Sequence, residues 1–453
     1  MGSRHTGHED SLAGLVSLED LQAAVEREDI TTVMAAVPDM LGRLQGKRLN
    51  APIFLDRIAN GLTASEACAY ILATNVGMDP LGAFDLTGWD KGFQDIGVVA
   101  DLDTLRILPH QPGVALVHGD AVHPDGASVP IAPRHVLRTQ LDHLAALGFE
   151  ARVGLESEFV LCEGGQPVAR HNLDYALDHP PALSDFIRCL EEVLPKSGVP
   201  VEATKTEGAA GQVEVTFPYG PALPACDDYT VYKQTVRDLS RRRGLTATFM
   251  AAPFTGVGSG LHIHLSLLKD GSPAFTTGAG EDLPETMQHS IAGLLSAMPH
   301  LAPLYAPNPN SYKRYATAHS FAPQYMNWGR DNRGCAVRVT GHGEGSRLEI
   351  RLPGADANPY LALAASLAAI VHGLTEELTP PDPCRGDAYA DLQAPRVRRD
   401  LTEAVAYFDG SDLAEGLFGA GVVRHYAIAA HTEVAEHRRQ VTDVERERGF
   451  ERA

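Results

Sequence analysis

The sequence predicts an α+β fold in which a small N-terminal unit precedes a larger unit built on a mainly antiparallel sheet. No glycine-rich turn of the P-loop or dinucleotide-binding type leads from a strand into a helix, so a parallel α/β sheet is disfavoured. Gly256-Val-Gly-Ser-Gly260 leads into a strand instead, and we interpret it as a loop that lets the backbone approach a ligand. Short strands with pairs of polar residues alternate with amphipathic helices, which we expect at 134–147, 182–195, 227–243, 285–299 and 356–376.

The N-terminal part of the chain predicts a disordered lead followed by a small α+β domain. Residues 1–10 are polar and include no apolar stretch of the secretory type, and we expect 1–17 to be the lead. Ser17, followed by Glu19 and Asp20, predicts the start of a helix. The expected elements are a helix at 18–30, a strand at 31–37, a turn at 42–46 leading into 47–54, and a strand near 113–117.

A loop region containing Pro, Gly and Asp follows at 119–134 and predicts a domain boundary. The expected domains are therefore 18–118 and 127–453. A chain of 453 residues is long enough for such a division.

Composition excludes several classes of protein. A formal net charge of −20 disfavours nucleic acid as a partner and is compatible with a cationic substrate. No run of 18 apolar residues is present, so we expect no membrane span. The 6 cysteines lack CxxC spacing, which favours free thiols in a reducing cytoplasm over a disulfide framework or a zinc site.

Two of the strand-like segments place polar groups two residues apart. Glu156 and Glu158 form one pair and His262 and His264 the other, with Ser266 extending the second. Residues i and i+2 of a strand point to the same face, so each pair can enter one cavity. The alternative for the acidic pair is a solvated strand face, and a lone histidine would more often be a core residue.

Two further segments add acidic and basic groups. Small residues separate Glu207 from Glu214 and could bring the two acids together, although an ordinary loop is the alternative. Arg347 and Arg351 flank Glu349. Five glutamates and a histidine at one place would repel each other, and divalent cations would relieve the repulsion. Arginines beside them indicate an anionic substrate, so the pattern predicts a phosphoryl-transfer site.

Three more basic positions, Arg314, Arg333 and Arg338, are expected to face the same site because arginine binds carboxylate and phosphate in a bidentate manner. The alternative is surface salt bridging, which we favour for Arg330.

Taken together, these segments resemble the glutamine synthetases from about residue 20 onward. The matching motifs are Gly-Leu-Glu-Ser-Glu-Phe, Glu-Gly-Ala-Ala-Gly-Gln-Val-Glu, Gly-Ser-Gly-Leu-His-Ile-His-Leu-Ser, Asn-Ser-Tyr-Lys-Arg, Asp-Asn-Arg and Arg-Leu-Glu-Ile-Arg-Leu-Pro. The resemblance implies an N-terminal β-grasp domain and a catalytic domain with a curved antiparallel sheet. It also implies a homo-oligomer, a dodecamer of two hexameric rings, with active sites between neighbouring subunits.

The resemblance further implies a role for each matching residue, with ATP as co-substrate and two to three Mg²⁺ or Mn²⁺ ions per site. Glu158, Glu207 and Glu214 would hold the metal that orders the amino acid. Glu156, His262 and Glu349 would hold the metal that bridges the ATP phosphates. Arg314 and Gly260 would bind the α-carboxylate of L-glutamate. Arg333, Arg338 and Arg351 would neutralise the transferring phosphoryl group, and His264, Ser266, Arg347 and Arg338 would line the nucleotide.

The motif set departs from glutamine synthetases where ammonium would bind. Phe321 stands where the family has a flap glutamate, and the Asp-Gly-Ser-Ser motif is missing. The corresponding region contains Asp85, Trp89 and Asp90, whereas Tyr175 matches the family's pocket tyrosine. These departures resemble the γ-glutamylamine ligase branch.

We therefore expect ATP-dependent ligation of the glutamate γ-carboxylate to an organic amine, either an ethanolamine-like monoamine or a polyamine, through γ-glutamyl phosphate. Glu207 is the expected proton acceptor, with Asp85 and Asp90 as weaker candidates. A true glutamine synthetase and a non-catalytic ring-forming homologue remain the alternatives.

Overall fold

The computed structural model describes residues 12–82, 84–277 and 283–453. Its strands form two sheets, joined by a scaffold of helices. Strands β1 to β6 are Thr32–Pro38, Leu44–Asn50, Ser65–Cys68, Asp95–Ala100, Arg106–Ile107 and Val114–Val122. Strands β7 to β12 are Phe149–Glu163, Gln166–Pro167, Ala203–Thr206, Gln212–Thr216, Gly220–Pro221 and Thr246–Thr248. Strands β13 to β17 are Leu261–Lys269, Ser272–Pro273, Trp328–Arg330, Val337–Thr340 and Arg347–Ile350.

The helices cover most of the remaining chain, and many begin at proline. Helices α1 to α6 are Leu18–Glu26, Ala51–Ala59, Pro133–Ala146, Pro181–Lys196, Ala222–Arg242 and Glu285–Ala297. Helices α7 to α12 are Ala302–Tyr305, Pro359–Thr375, Leu401–Asp409, Asp412–Phe418, Ala420–Arg439 and Asp443–Gly449. No helix in the described parts of the chain is both long and apolar enough to cross a membrane.

The smaller sheet has the strand order β2-β1-β6-β4-β3, with β5 also paired to β6. Strands β1 and β6 are parallel, and the other pairs are antiparallel. Helices α1 and α2 cover this sheet through residues such as Leu21 and Phe54, which are fully buried. The sheet continues to Val122, a few residues beyond the boundary that we placed at 118.

The larger sheet has the order β15-β16-β17-β13-β7-β10-β9, and the predicted antiparallel arrangement is confirmed for its central strands. Its two faces differ because side chains alternate along β7. Leu155 and Phe159 point to the helices, where Phe159 packs against Phe186 of α4. Glu156 and Glu158 therefore point to the opposite face, which the helices leave open.

Helix α8 forms the centre of the helical layer. It is apolar on all sides and buried along nearly its whole length, as expected of a core helix. Asn358 caps its start by accepting hydrogen bonds from the backbone of Tyr360 and Leu361. Helix α6 crosses it so closely that a Cβ at Gly293 would lie 2.1 Å from the carbonyl oxygen of Ala369, which requires glycine there.

Several elements differ from the prediction. Helix α1 ends at Glu26, before the expected end at 30, and helix α2 follows β2 directly. The helices α9 to α12 were not predicted. Within the expected lead, Gly14 donates to the carbonyl of Lys196 and Val16 to that of Leu105, so these residues are fixed against both units. The rest of the expected lead, residues 1–11, lies outside the described residues.

Candidate active site

Strand register brings the predicted acids and imidazoles into one row on the open face of the larger sheet. Four neighbouring strands contribute to it, in the order β17, β13, β7 and β10. The residue pairs directly opposite each other are His264 with Glu349, His262 with Glu156, and Glu158 with Glu214. The prediction that these pairs face one cavity therefore agrees with the strand geometry.

The two histidines hold Glu156 between them. Nε2 of His264 lies 2.9 Å from Oε1 of Glu156, and Nδ1 of His262 lies 3.5 Å from Oε2. Burial opposes ionisation of Glu156, but the two imidazoles in contact with it hold its pKa well below the ordinary value. Burial and the nearby Arg351 lower the pKa of His262 to about 4, so this imidazole is neutral and has a lone pair to offer a metal.

Glu158 and Glu214 are acids held where charge is costly. Burial raises the pKa of Glu158 to about 7, and burial with the charge of Glu156 raises that of Glu214 to about 8. One oxygen of Glu158 accepts hydrogen bonds from Gln212 and from the backbone of Gly260, both over 2.9 Å. Such a cluster has more negative charge than its surroundings compensate.

Two groups of residues bring candidate metal ligands within 4.8 Å of one another in the described parts of the chain. One is Glu156, His264 and Glu349, and the other is Glu156, Glu214 and His262. These sets only partly match the expected ones. Glu158 and Glu207 are in neither group, although Oε1 of Glu158 lies 3.9 Å from Nε2 of His262 and Glu207 forms an ion pair with Lys205.

Buried arginines surround Glu349 at the β16–β17 end of the row. Nη1 of Arg338 lies 2.7 Å from one oxygen of Glu349, and Arg351 contacts the other oxygen. Burial opposes ionisation, but Arg351 and its neighbours lower the pKa of Glu349 to about 2. Arg351 also donates over 3.3 Å to the carbonyl of Phe321 and so joins the flap backbone to the acidic row.

The other two expected arginines have different surroundings. Arg314 is buried and donates to the carbonyl of Leu352 over 3.1 Å. A Cβ at Gly260 would lie 2.8 Å from Nη2 of Arg314, so glycine provides the space for this guanidinium. The N–H of Gly260 donates to Glu158. Arg333 is exposed at the edge of the site.

A cavity of about 600 Å³ opens beside Glu156 on the same sheet face. Its lining includes three of the four residues expected at the nucleotide, His264, Ser266 and Arg347, whereas Arg338 lies outside it beside Glu349. Nε of Arg347 donates to Nδ1 of His264 over 3.0 Å, which fixes the imidazole that contacts Glu156. The aromatic ring of Tyr219 also lines the cavity and was not predicted. A pocket of this size suits a small-molecule ligand.

The β9–β10 end of the row contains Lys205, which sequence reasoning missed. Lys205 lies opposite Glu214 in the strand pairing and forms an ion pair with Glu207. Its Nζ lies 3.9 Å from Glu214 and 4.3 Å from the centre of the Tyr175 ring. Its position two residues before Glu207 was a sequence signal for a shared strand face.

Three expected residues lie away from this row. Trp89 is 81% exposed, and its ring packs edge-on against Phe93. Asp85 lies 3.7 Å from Arg424 of α11, and the hydrogen bonds of Lys91 go to the backbone of the same loop. Among the described residues, this loop, which also includes Asp90, is bonded to itself, to its neighbours in the smaller unit and to α11. Within one protomer it does not join the acidic row.

A family model described as glutamine synthetase, catalytic domain, matches residues 130–449, which include every strand of the row. The chain belongs to the glutamine synthetase family. γ-Glutamylethanolamide synthetase GlnA4 of Streptomyces coelicolor is 41% identical over 451 residues, covering 96% of each chain. Glutamate–isopropylamine ligase of a Pseudomonas species is 33% identical, covering 89% of this chain and 91% of the relative.

A solved structure described as a GmaS/ADP complex matches with a TM-score of 0.82 at 28% identity, covering 95% of this chain and 99% of that chain. Similarity in sequence and in fold thus extends over almost the whole length. The resemblance recognised from the motifs is confirmed, both for the family and for its γ-glutamylamine ligase branch.

Proposed function

We propose that this protein is an ATP-dependent γ-glutamylamine ligase, which joins the γ-carboxylate of L-glutamate to a small organic amine through γ-glutamyl phosphate. The main support is the row of carboxylates and imidazoles on one sheet face, with buried arginines beside Glu349. Two relatives that are similar over about nine-tenths of the chain are named for joining glutamate to an amine or for forming its amide. An ethanolamine-like monoamine or a polyamine would be the second substrate.

We propose that two to three Mg²⁺ or Mn²⁺ ions bind along the row. Carboxylate oxygens with one imidazole are a donor set that suits these ions. Burial raises the pKa of Glu158 to about 7 and that of Glu214 to about 8, and a bound cation would favour the ionised form of both acids. Bound ions would neutralise the phosphate oxygens. The proposed ligands are Glu156, Glu158, Glu207, Glu214, His262 and Glu349.

The arginines would provide the charge that lets two anions approach each other. Arg314 would bind the α-carboxylate of glutamate, and Arg333, Arg338 and Arg351 would bind the phosphoryl group in transfer. A γ-carboxylate oxygen then attacks the γ-phosphorus of ATP, and the bond to the bridging oxygen breaks to release ADP. The cavity beside His264, Ser266 and Arg347 would hold the nucleotide.

The second step replaces phosphate by an amine. A carboxylate is a poor electrophile, whereas its mixed anhydride with phosphate reacts readily with an amine nitrogen. The amine arrives as an ammonium with a pKa of about 10, and Glu207 would accept its proton. The nitrogen then attacks the acyl carbon and phosphate leaves. Glu207 has Tyr175 close by, across Lys205, which suits a pocket for an alkylammonium.

Phe321 and the loop at Trp89 would shape the amine pocket. The Phe321 side chain is 63% exposed on a flap whose backbone bonds to Arg351, so it is free to border a carbon-bearing amine. Asp85, Trp89 and Asp90 would reach the pocket of a neighbouring subunit, since their loop does not join the acidic row within one protomer and Trp89 is 81% exposed. This arrangement supports a homo-oligomer, for which the family resemblance suggests two stacked hexameric rings. We further propose a β-grasp identity for the smaller sheet domain and a cytoplasmic location.

An amine-panel assay tests the proposal. Purified protein with ATP, Mg²⁺ and L-glutamate should release phosphate when ethanolamine or another amine is added, and the γ-glutamyl amide should appear by mass spectrometry. Ammonia outcompeting every organic amine would identify a glutamine synthetase instead. No phosphate release with any nitrogen source would favour the non-catalytic homologue.

A further inference from the structure

No step of the proposed reaction gives a role to Lys205, although it lies beside the proposed amine pocket. Its Nζ forms an ion pair with Glu207, lies 3.4 Å from Asp174 and lies 3.9 Å from Glu214. It also lies 4.3 Å above the ring of Tyr175. An aromatic face together with carboxylates is the environment that recognises an alkylammonium ion. The lysine thus places its own primary ammonium where the proposed function places the amine.

The surroundings fix this lysine in place. The hairpin of β9 and β10 puts Lys205 opposite Glu214. The loop that contains Asp174 and Tyr175 is bonded to the same strand, because Thr206 donates to the carbonyl of Leu173 over 2.6 Å and accepts a backbone bond from Tyr175 over 3.3 Å. The side chain of Lys205 is 22% exposed, so its tip faces the open side of the site.

We infer that Lys205 determines amine specificity by placing a fixed positive charge at the amine end of the site, which selects monoamines with an uncharged distal group over diamines and polyamines. This inference rests on the proposed function. A second ammonium on the substrate would meet the Lys205 ammonium, and like charges in a binding site are strongly unfavourable. Asp174, the acid that could have received that second ammonium, is already paired with the lysine.

The charge arrangement also predicts a gain of function. Replacing Lys205 by methionine keeps an unbranched side chain of similar length and removes the charge. Asp174 then becomes available to the distal ammonium of a diamine. Damage to the fold would lower the rates with all amines, whereas loss of this charge should raise the rate with a diamine relative to a monoamine.

The test measures kcat/KM for putrescine and for its matched hydroxyl analogue, in which one ammonium is replaced by a hydroxyl group. The wild type should prefer the hydroxyl analogue. In Lys205→Met the ratio of putrescine to hydroxyl analogue should rise by ~10-fold or more. Lys205→Arg, which keeps the charge, should retain the wild-type ratio, and so should Lys196→Met, a charge removal on the exposed surface of α4.

The outcomes separate this inference from the proposed function. A wild-type protein that is active with the hydroxyl analogue, together with an unchanged ratio in Lys205→Met, would overturn the role of Lys205 alone. A wild-type preference for putrescine would also overturn it. A wild-type protein that uses no organic amine would overturn the proposed function instead.

Discussion

Arg134 joins the two sheets, and its removal should destabilise the fold more than any surface substitution. The guanidinium is 2% exposed and donates to both oxygens of Asp227 on α5, over 2.9 and 2.8 Å. It also donates to Asp101 and Asp120 of the smaller unit over 2.8 and 2.7 Å. Arg134→Met keeps much of the buried volume and removes the charge.

The expected loss of stability depends on which partners each aspartate keeps when Arg134 is replaced. Asp101 and Asp120 are partly exposed and keep Arg138 as a partner, so their loss is small. Asp227 is buried, and among the described residues the hydroxyl of Tyr360 is the side-chain hydrogen-bond donor that it keeps. Leaving one partner of a buried ion pair uncompensated costs about 3–5 kcal/mol. We expect the free energy of unfolding of Arg134→Met to fall by about that amount.

Urea-induced unfolding followed by far-ultraviolet circular dichroism measures the effect, at one protein concentration because assembly would add to apparent stability. The matched control is Arg188→Met, which breaks an exposed pair with Asp185 and should change the free energy by no more than about 1 kcal/mol. A loss below about 1 kcal/mol in Arg134→Met would refute the view that this arginine stabilises the junction between the sheets.

Three further predictions concern the site and the acid response. Glu158→Ala should lower ATP turnover by ~100-fold or more because a proposed metal ligand is lost. The control is Glu150→Ala, which removes an exposed acid on the same strand and should keep near-wild-type turnover. Turnover retained in Glu158→Ala would contradict the metal assignment. In Phe321→Glu, the kcat/KM for ammonia divided by the kcat/KM for ethanolamine should rise by ~10-fold, because a carboxylate on the flap favours a small cation. An unchanged ratio would show that Phe321 does not contribute to the amine pocket. Burial lowers the pKa of His118 from 6.5 to about 3. Between these pH values the unfolded chain binds one more proton than the folded chain. The free energy of unfolding therefore falls by about 1.4 kcal/mol for each unit that the pH drops through this range. The urea midpoint of His118→Gln should therefore depend less steeply on pH in this range than that of the wild type. An equally steep dependence in the variant would contradict the prediction.

The row of carboxylates and imidazoles could be predicted because it depends on local periodicity. Glu156 with Glu158 and His262 with His264 share faces through the two-residue repeat of a strand, which the sequence displays directly. The motifs and their order then indicated the family, and the family model over 130–449 agrees. Strand pairing such as His262 opposite Glu156 follows once these segments are neighbours in one sheet.

The features of the site and fold that were not predicted depend on contacts between distant parts of the chain. Lys205 joins Glu214 only through the register of the β9–β10 hairpin, and a slip of one residue would send it to the other face. The loop at Trp89 packs toward α11, where Asp85 meets Arg424, a contact that no local pattern indicates. The bonds of Gly14 and Val16 to Lys196 and Leu105 are likewise set by tertiary packing, which no local sequence pattern indicates.

The fate of one oxygen atom tests the central claim most directly. L-glutamate labelled with heavy oxygen in its γ-carboxylate is incubated with the protein, ATP, Mg²⁺ and ethanolamine, and the released phosphate is analysed by mass spectrometry. Phosphorylation of the carboxylate followed by amine attack predicts one labelled oxygen in each phosphate and formation of the γ-glutamyl amide. Unlabelled phosphate, or labelled phosphate formed with ammonia in preference to every organic amine, would contradict the account.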